Sequence, residues 1–229
     1  MAAYFSPKTF AFLRALAKNN RRDWFNAHKD EFEQQLRAPY QRLIADLAEP
    51  LKRISPHFVA DPRPVGGSLF RIYRDTRFAK DKTPYKTWAG AQFFHERRRE
   101  LMGETPVFYL HIAPKECFVG GGVWHPQPEN VRRIRAYLLG NPASWKKATR
   151  SPAFRKGFEL GGDTLTRPPA GFDPAHELIE DLKRKDFVSS ATFSESQACA
   201  TGFPKFVLGR FREIAPMMDW LCGALDLEF

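Results

Sequence analysis

The chain has 229 residues, 43% hydrophobic and 27% charged, proportions that exclude an intrinsically disordered chain. Its 36 Lys and Arg stand against 26 Asp and Glu, a formal charge of +10 that draws polyanions such as nucleic acid, phosphate esters or acidic surfaces. Three widely spaced cysteines, Cys117, Cys199 and Cys222, form no CxxC pair, which excludes a zinc ribbon or thioredoxin-like motif and points to a reducing, cytoplasmic setting.

Residues 1–22 carry five basic residues and no acid, a composition like that of a mitochondrial presequence. A folded helix is preferred, because Ser6-Pro7 is a good helix start and Phe10, Leu13 and Ala17 share one face. Asn20 is expected to cap a second helix, with Asp23 in its first turn. From Trp24 through Phe25, His28, Phe32, Leu36, Tyr40, Leu43, Leu47 and Leu51, apolar positions recur every three or four residues. Pro39 falls inside this stripe at a cost of about 3 kcal/mol, so a kink or break is expected there. Pro50 is expected to end the helical part.

Asp61-Pro62-Arg63-Pro64 reads as a stiff extended link. Strands are predicted at 69–73, 88–95, 107–112 and 117–119, with a turn at 113–116 and Gly120-Gly121-Gly122 as the stop. A helix through Val131, Ile134, Leu138 and Leu139 ends at Gly140-Asn141-Pro142. Short helices are predicted within 144–156, a loop over 161–174, a short helix over 175–185, and a long helix over 203–225 interrupted at Pro216. No apolar run approaches the roughly 18 residues of a membrane span. Helices, then consecutive strands, then helices argue for one α+β domain: helical over 7–54, sheet over 64–124, helical over 128–229. The sheet is expected to be an antiparallel meander of about four or more strands, packed against the N- and C-terminal helices.

The stretch FRIYRDTRFAKDKTPYKTW, residues 70–88, concentrates charge. Arg71, Arg74, Arg77, Lys80, Lys82 and Lys86 outnumber Asp75 and Asp81. Arg forks match phosphate or carboxylate, Lys adds mobile charge, and Tyr73 and Tyr85 add hydrogen bonds or stacking. The segment either holds an anion or pairs its arginines internally as a structural network. Gly120, Gly121 and Gly122, followed by Trp124 and His125, form a candidate second wall, since consecutive glycines ahead of a helix let backbone N–H groups approach an anion. A β-bulge or sheet edge that needs small residues explains the same glycines and is the favoured account. A further basic run, from Arg132 to Lys156, contains no acid and either extends a positive face or is a solvated helix surface.

Other chemistry is thinly represented. There is no GxSxG, no phosphate-binding GxxxxGK[ST], no GxGxxG and no HExxH. The six histidines lack metal-ligand spacing, so neither a metal nor a cofactor is expected. Asp181-Leu182-Lys183 fits a (D/E)xK element too common to count.

The basic stretch resembles the hallmark of a bacterial family of unknown function, domain of unknown function 2461. NNRRDWFNAHKDEFE, FYLHIAPKECFVGGGVWHPQPE and LKRKDFV, met in that order, agree with it. Ala79 stands where members of the family often carry Ser. The resemblance implies a single domain found in cytosolic bacterial proteins, and no substrate or catalytic residues.

Three functions fit. The leading one is a cleft built from Arg71, Arg74, Arg77, Lys80, Lys82, Tyr85 and Lys86 for a phosphorylated small molecule or a nucleic-acid backbone. The second is a phosphoryl or phosphodiester hydrolase at the same cleft, with Asp75 or Asp81 as base or metal ligand and His125 as acid. The third is a non-catalytic interaction module in which Arg–Asp pairs only fix the loop. The sequence carries no signal of oligomeric state.

Overall fold

A computed structural model describes residues 3–229. Helix α1 (Pro7–Lys18) buries Phe10, Phe12, Leu13 and Leu16. Its first turn is closed by Thr9, whose hydroxyl accepts the Ser6 N–H at 3.1 Å. The apolar stripe that follows folds as α2 (Arg22–Ala27), α3 (Lys29–Phe32), a π-helical turn (Glu33–Arg37) and α4 (Ala38–Lys52). The chain does not break at Pro39. Proline offers no N–H to the Gln35 carbonyl four residues back, and its ring would collide with that carbonyl in a regular helix. The wider π turn gives the ring room, and Thr9 Oγ1 donates to the Gln35 carbonyl at 2.8 Å. Pro50 is likewise carried inside α4, which ends two residues later.

One antiparallel sheet has the order β1-β2-β3-β4-β6-β5. Its strands are β1 (Phe58–Val59), β2 (Ala89–His95), β3 (Val107–Ile112), β4 (Cys117–Val123), β5 (Glu159–Gly161) and β6 (Phe187–Phe193). The first four form the expected meander. The glycine triplet does not stop β4, which runs through it to Val123. Gly121 stands opposite Ser189 of β6. A Cβ there would come within 2.9 Å of Met218 Sδ and 3.0 Å of Ile214, so only glycine lets the last helix approach the sheet. Gly122 has φ +132, and a Cβ would lie 2.0 Å from the Phe187 carbonyl oxygen.

Strands β5 and β6 interrupt the region expected to be wholly helical. Phe187, Ser189, Ala191 and Phe193 point inward and Val188, Ser190 and Thr192 outward, a period of two. Around them lie α5 (Pro128–Gly140), α6 (Pro142–Arg150), α7 (Pro152–Gly157), α8 (Ile179–Leu182), α9 (Glu195–Ala198) and α10 (Phe203–Ala224). The helix expected over 175–185 shrinks to α8. Helix α10 is unbroken at Pro216. Its buried Phe203, Val207, Phe211, Ile214, Met218 and Leu221 are worth roughly 1.5–3 kcal/mol each, enough to outweigh a single interior proline.

The core lies between this sheet and helices α4 and α10. Phe211 meets Phe93 at 5.3 Å and Phe108 at 4.7 Å between ring centres. Tyr40, fully buried on α4, donates its hydroxyl to the Leu110 carbonyl at 2.7 Å. The strands' other face carries Tyr109, His111 and Phe118, and the basic segment packs there.

Candidate functional site

The expected strand at 69–73 is one arm of a ragged ribbon. The Phe70 N–H donates to the Gly90 carbonyl at 2.9 Å, the Lys86 N–H to Ile72 at 2.8 Å, and the Arg74 N–H to Pro84 at 2.9 Å. Tyr73 and Tyr85 pair as an isolated bridge. Pro84 has no N–H to return the bond, so a regular ladder cannot form beyond it. The ribbon extends the N-terminal end of β2 and carries a basic tip over residues 75–83.

The first helical hairpin clamps this ribbon. Asn20 does not cap α2, whose N-cap is Arg21. Its amide instead pairs with both backbone groups of buried Tyr85, Nδ2 to the carbonyl at 2.9 Å and the Tyr85 N–H to Oδ1 at 3.0 Å. The Phe25 ring stacks on Tyr85 at 4.1 Å.

Two clefts flank Arg74. One, of about 430 Å³, is lined by Asn20, Arg74, Asp75, Asp81, Thr83, Tyr85, Lys86, Thr87 and Trp88. The other, of about 330 Å³, is lined by Arg22, Asn26, Tyr73, Arg74, Thr76, Pro84 and Tyr85. Arg74 Nη1 contacts Asp81 Oδ2 at 2.5 Å, and also the Thr83 hydroxyl and carbonyl. None of these contacts uses its Nε or Nη2. Arg77 forks onto Asp75, with Nη2 to Oδ2 at 2.7 Å. Lys86 Nζ donates to the carbonyls of Arg71 at 2.6 Å and Tyr73 at 2.9 Å. Lys82 Nζ donates to the Thr76 carbonyl at 2.9 Å. Arg71 and Lys80 form no ion pair among the described residues.

Charge crowding shows in the protonation equilibria. Burial, then the neighbouring Arg71 and Arg74 guanidiniums, push the Lys86 ammonium below its ordinary pKa. The Thr83 N–H first, and the Arg74 guanidinium after it, hold the Asp81 carboxyl down at about 2. The Arg77 guanidinium lowers Asp75. Both carboxylates are therefore occupied, in a turn bond or an arginine pair. Both also line the larger cleft.

An aromatic layer backs the larger cleft. Trp88 lies 5.0 Å from His111, which stacks on Phe118 at 4.7 Å. His111 Nδ1 meets the Tyr109 hydroxyl at 3.0 Å, and Nε2 is buried without a partner. Burial lowers the His111 pKa to about 4 and raises that of Tyr109. Gly90 makes room for this layer, since a Cβ there would stand 2.3 Å from Tyr109 Oη.

The expected second wall lies elsewhere. Gly90, His111 and Phe118 are in register at the cleft end of the sheet, whereas Phe94, Val107 and Gly122 are in register at the far end. Four residues separate the two rows, about 13 Å at strand rise. Gly120, Gly121 and Gly122 are strand residues on that path, and Trp124 and His125 follow its far end. His125, at φ +49, gives its N–H to Asp186 Oδ1 at 2.7 Å, and its Nδ1 is 3.1 Å from the same oxygen. The fully buried Asp186 also accepts the Asp163 N–H at 2.8 Å. It ties two loops together, so His125 is not the acid of the basic cleft.

The basic run 132–156 is partly neutralised. Arg133 pairs with Asp226 at 2.5 Å, Lys146 with Glu177 at 2.5 Å and Arg150 with buried Asp181 at 2.8 Å. Among the described residues no three His, Cys, Asp or Glu side chains gather as a metal site, and no helix is long and apolar enough to cross a membrane. Asn20, Thr83, Thr87 and Trp88 line the cleft without having been singled out for it. Trp88 closes the quoted stretch and was open to recognition as a ring beside cations. Nothing local to Asn20 marks a partner 65 positions away.

A family model described as "Conserved hypothetical protein (DUF2461)" matches residues 8–220. The chain belongs to the DUF2461 family. The match contains the whole ribbon, its Asn20 clamp and the aromatic layer, so the cleft lies inside the DUF2461 domain. Neither the curated proteins nor the solved structures compared with it include a match.

Proposed function

We propose that the DUF2461 domain binds a phosphate-bearing anion at the 70–88 ribbon, with Arg74 and Lys86 lining the cleft and Arg71, Lys80 and Lys82 adding charge around it. The observation that carries this reading is the state of Arg74. It lines both clefts, all its internal contacts use Nη1, and Arg71 and Lys86 stand close by. A guanidinium with Nε and Nη2 unengaged is a ready fork for a phosphate. A purely structural network would match every cation with a carboxylate, yet six cations in the ribbon meet two. Arg77 is the exception, since its fork is filled by Asp75, and it contributes long-range charge only. A cytoplasmic location goes with this reading.

The test is calorimetric titration with inorganic polyphosphate across a salt series. Binding should weaken steeply with salt. Arg71→Ala, which removes an exposed side chain without an ion pair, should weaken it about tenfold while leaving the urea midpoint in place. Salt-independent binding, or binding indifferent to Arg71→Ala, would overturn the reading.

A further inference from the structure

The ribbon tip holds a feature that anion binding alone leaves unexplained. Phe78 is 94% exposed, at the end of a basic ribbon rather than on any packed face. The Arg77 guanidinium lies 5.8 Å from its ring centre. Leaving a phenyl ring in water forgoes the free energy of its burial. Two more rings lie behind it among the cations. Tyr73 is 51% exposed and lines the smaller cleft, and Trp88 lines the larger one. Rings interleaved with cations, one at the tip and one in each cleft, match a single-stranded polynucleotide, whose phosphates follow the charges while its bases stack on aromatic faces.

Building on the anion-binding reading, we propose that the partner is single-stranded nucleic acid and that Phe78 stacks on one of its bases. A duplex fits less well, because its bases are already stacked and a lone ring would have to part them. A membrane surface also fits less well. The tip offers one ring, flanked within three residues by Asp75 and Asp81 as well as by Arg77 and Lys80, and those carboxylates would be repelled by an anionic bilayer.

The test compares fluorescence anisotropy for four probes: a 15-mer of deoxythymidine, an abasic strand of the same length, a duplex of the same length, and vesicles rich in phosphatidylserine. The thymidine strand should bind at least about tenfold tighter than the abasic one. Phe78→Ala should weaken the thymidine strand by about 5- to 150-fold, the range for one stacked base, and leave the abasic strand unchanged. Phe78→Trp should restore the loss. Phe78 supports no core packing, so its variants should keep the wild-type urea midpoint. Equal affinity for thymidine and abasic strands, or no effect of Phe78→Ala, would refute base stacking while leaving anion binding intact. Tighter binding to the duplex, or Phe78-dependent vesicle binding without oligonucleotide binding, would assign the tip to that other partner. No binding to any of the four probes while polyphosphate still binds would overturn the single-strand proposal and leave anion binding intact; loss of polyphosphate binding as well would overturn both.

Discussion

Asn20→Ala tests whether the cleft is positioned from outside the ribbon. The amide makes two hydrogen bonds to Tyr85, at 2.9 and 3.0 Å, across 65 residues of chain. A typical bond contributes about 1 kcal/mol net, and a buried backbone group left without a partner costs about 1–3 kcal/mol. Tyr85 is buried, but Asn20 borders an open cleft through which water can reach part of the gap. The expected loss is therefore about 2–3 kcal/mol. At 2–4 °C per kcal/mol for a domain of this size, the melting temperature should fall by about 4–12 °C. Urea unfolding followed by tryptophan fluorescence gives the first number and polyphosphate titration gives the second. Affinity should drop with stability, because Tyr85 neighbours Lys86 and faces Tyr73 in the ribbon. Asn20→Asp should be no milder, since it keeps the acceptor for the Tyr85 N–H but sets an oxygen against the Tyr85 carbonyl. A loss below about 0.5 kcal/mol, or a full loss with affinity unchanged, would refute the idea that this clamp positions the cleft.

Thr9→Val should cost about 1–3 kcal/mol in urea unfolding by orphaning the Gln35 carbonyl. In a Pro39→Ala background, where residue 39 regains an N–H for that carbonyl, the same change should cost less, and a double-mutant cycle measures the difference. His111 is held neutral, with a folded pKa of about 4 against an ordinary 6.5. The unfolded chain therefore takes up its proton first as pH falls, so stability is lost between about 6.5 and 4, at up to about 1.4 kcal/mol per unit. His111→Phe should show a smaller drop in urea midpoint between pH 7 and 5 than the wild type. Gly122→Ala, which places a Cβ against the Phe187 carbonyl at a left-handed φ, should destabilise by at least about 2 kcal/mol, seen as a lower melting temperature. Asp81→Asn keeps a side-chain oxygen for the Thr83 N–H but sets an amide N–H against Arg74 Nη1, so the guanidinium loses its anchor and polyphosphate should weaken about three- to fivefold by calorimetry.

The elements that could be read from the sequence were those whose signals are local. β3 follows from a run of β-formers, and α1 from Ser6-Pro7 and its apolar face. β6 was missed because Ser189 and Ser190 dilute its alternation. Its strand character lies in Phe187, Val188, Ala191, Thr192 and Phe193, and its place beside β4 depends on the space left by Gly120 and Gly122. The prolines misled for a related reason. An interior proline is a fixed local penalty, whereas the compensation at Pro39 is a hydroxyl from Thr9 and that at Pro216 is a whole buried face. The candidate site divides the same way. The cations were visible as composition, but which of them remain unmatched depended on geometry. Asp75 and Asp81 are found on Arg77 and Arg74, and His125 is found with Asp186.

The two carboxylates also explain how an irregular ribbon can hold its charges still. Exposed ion pairs contribute little stability, and both pairs here are exposed. Their effect is on direction. Asp81 accepts the Thr83 N–H at 2.9 Å, which closes the returning turn, and its other oxygen takes Arg74 Nη1. The same arginine lines both clefts with its Nε and Nη2 outside that contact. Lys86 is fixed in the same manner by two carbonyls of the opposite arm rather than by an acid, so no carboxylate offsets its charge. Internal partners thus restrain the cations while leaving a surplus of four positive charges in the ribbon.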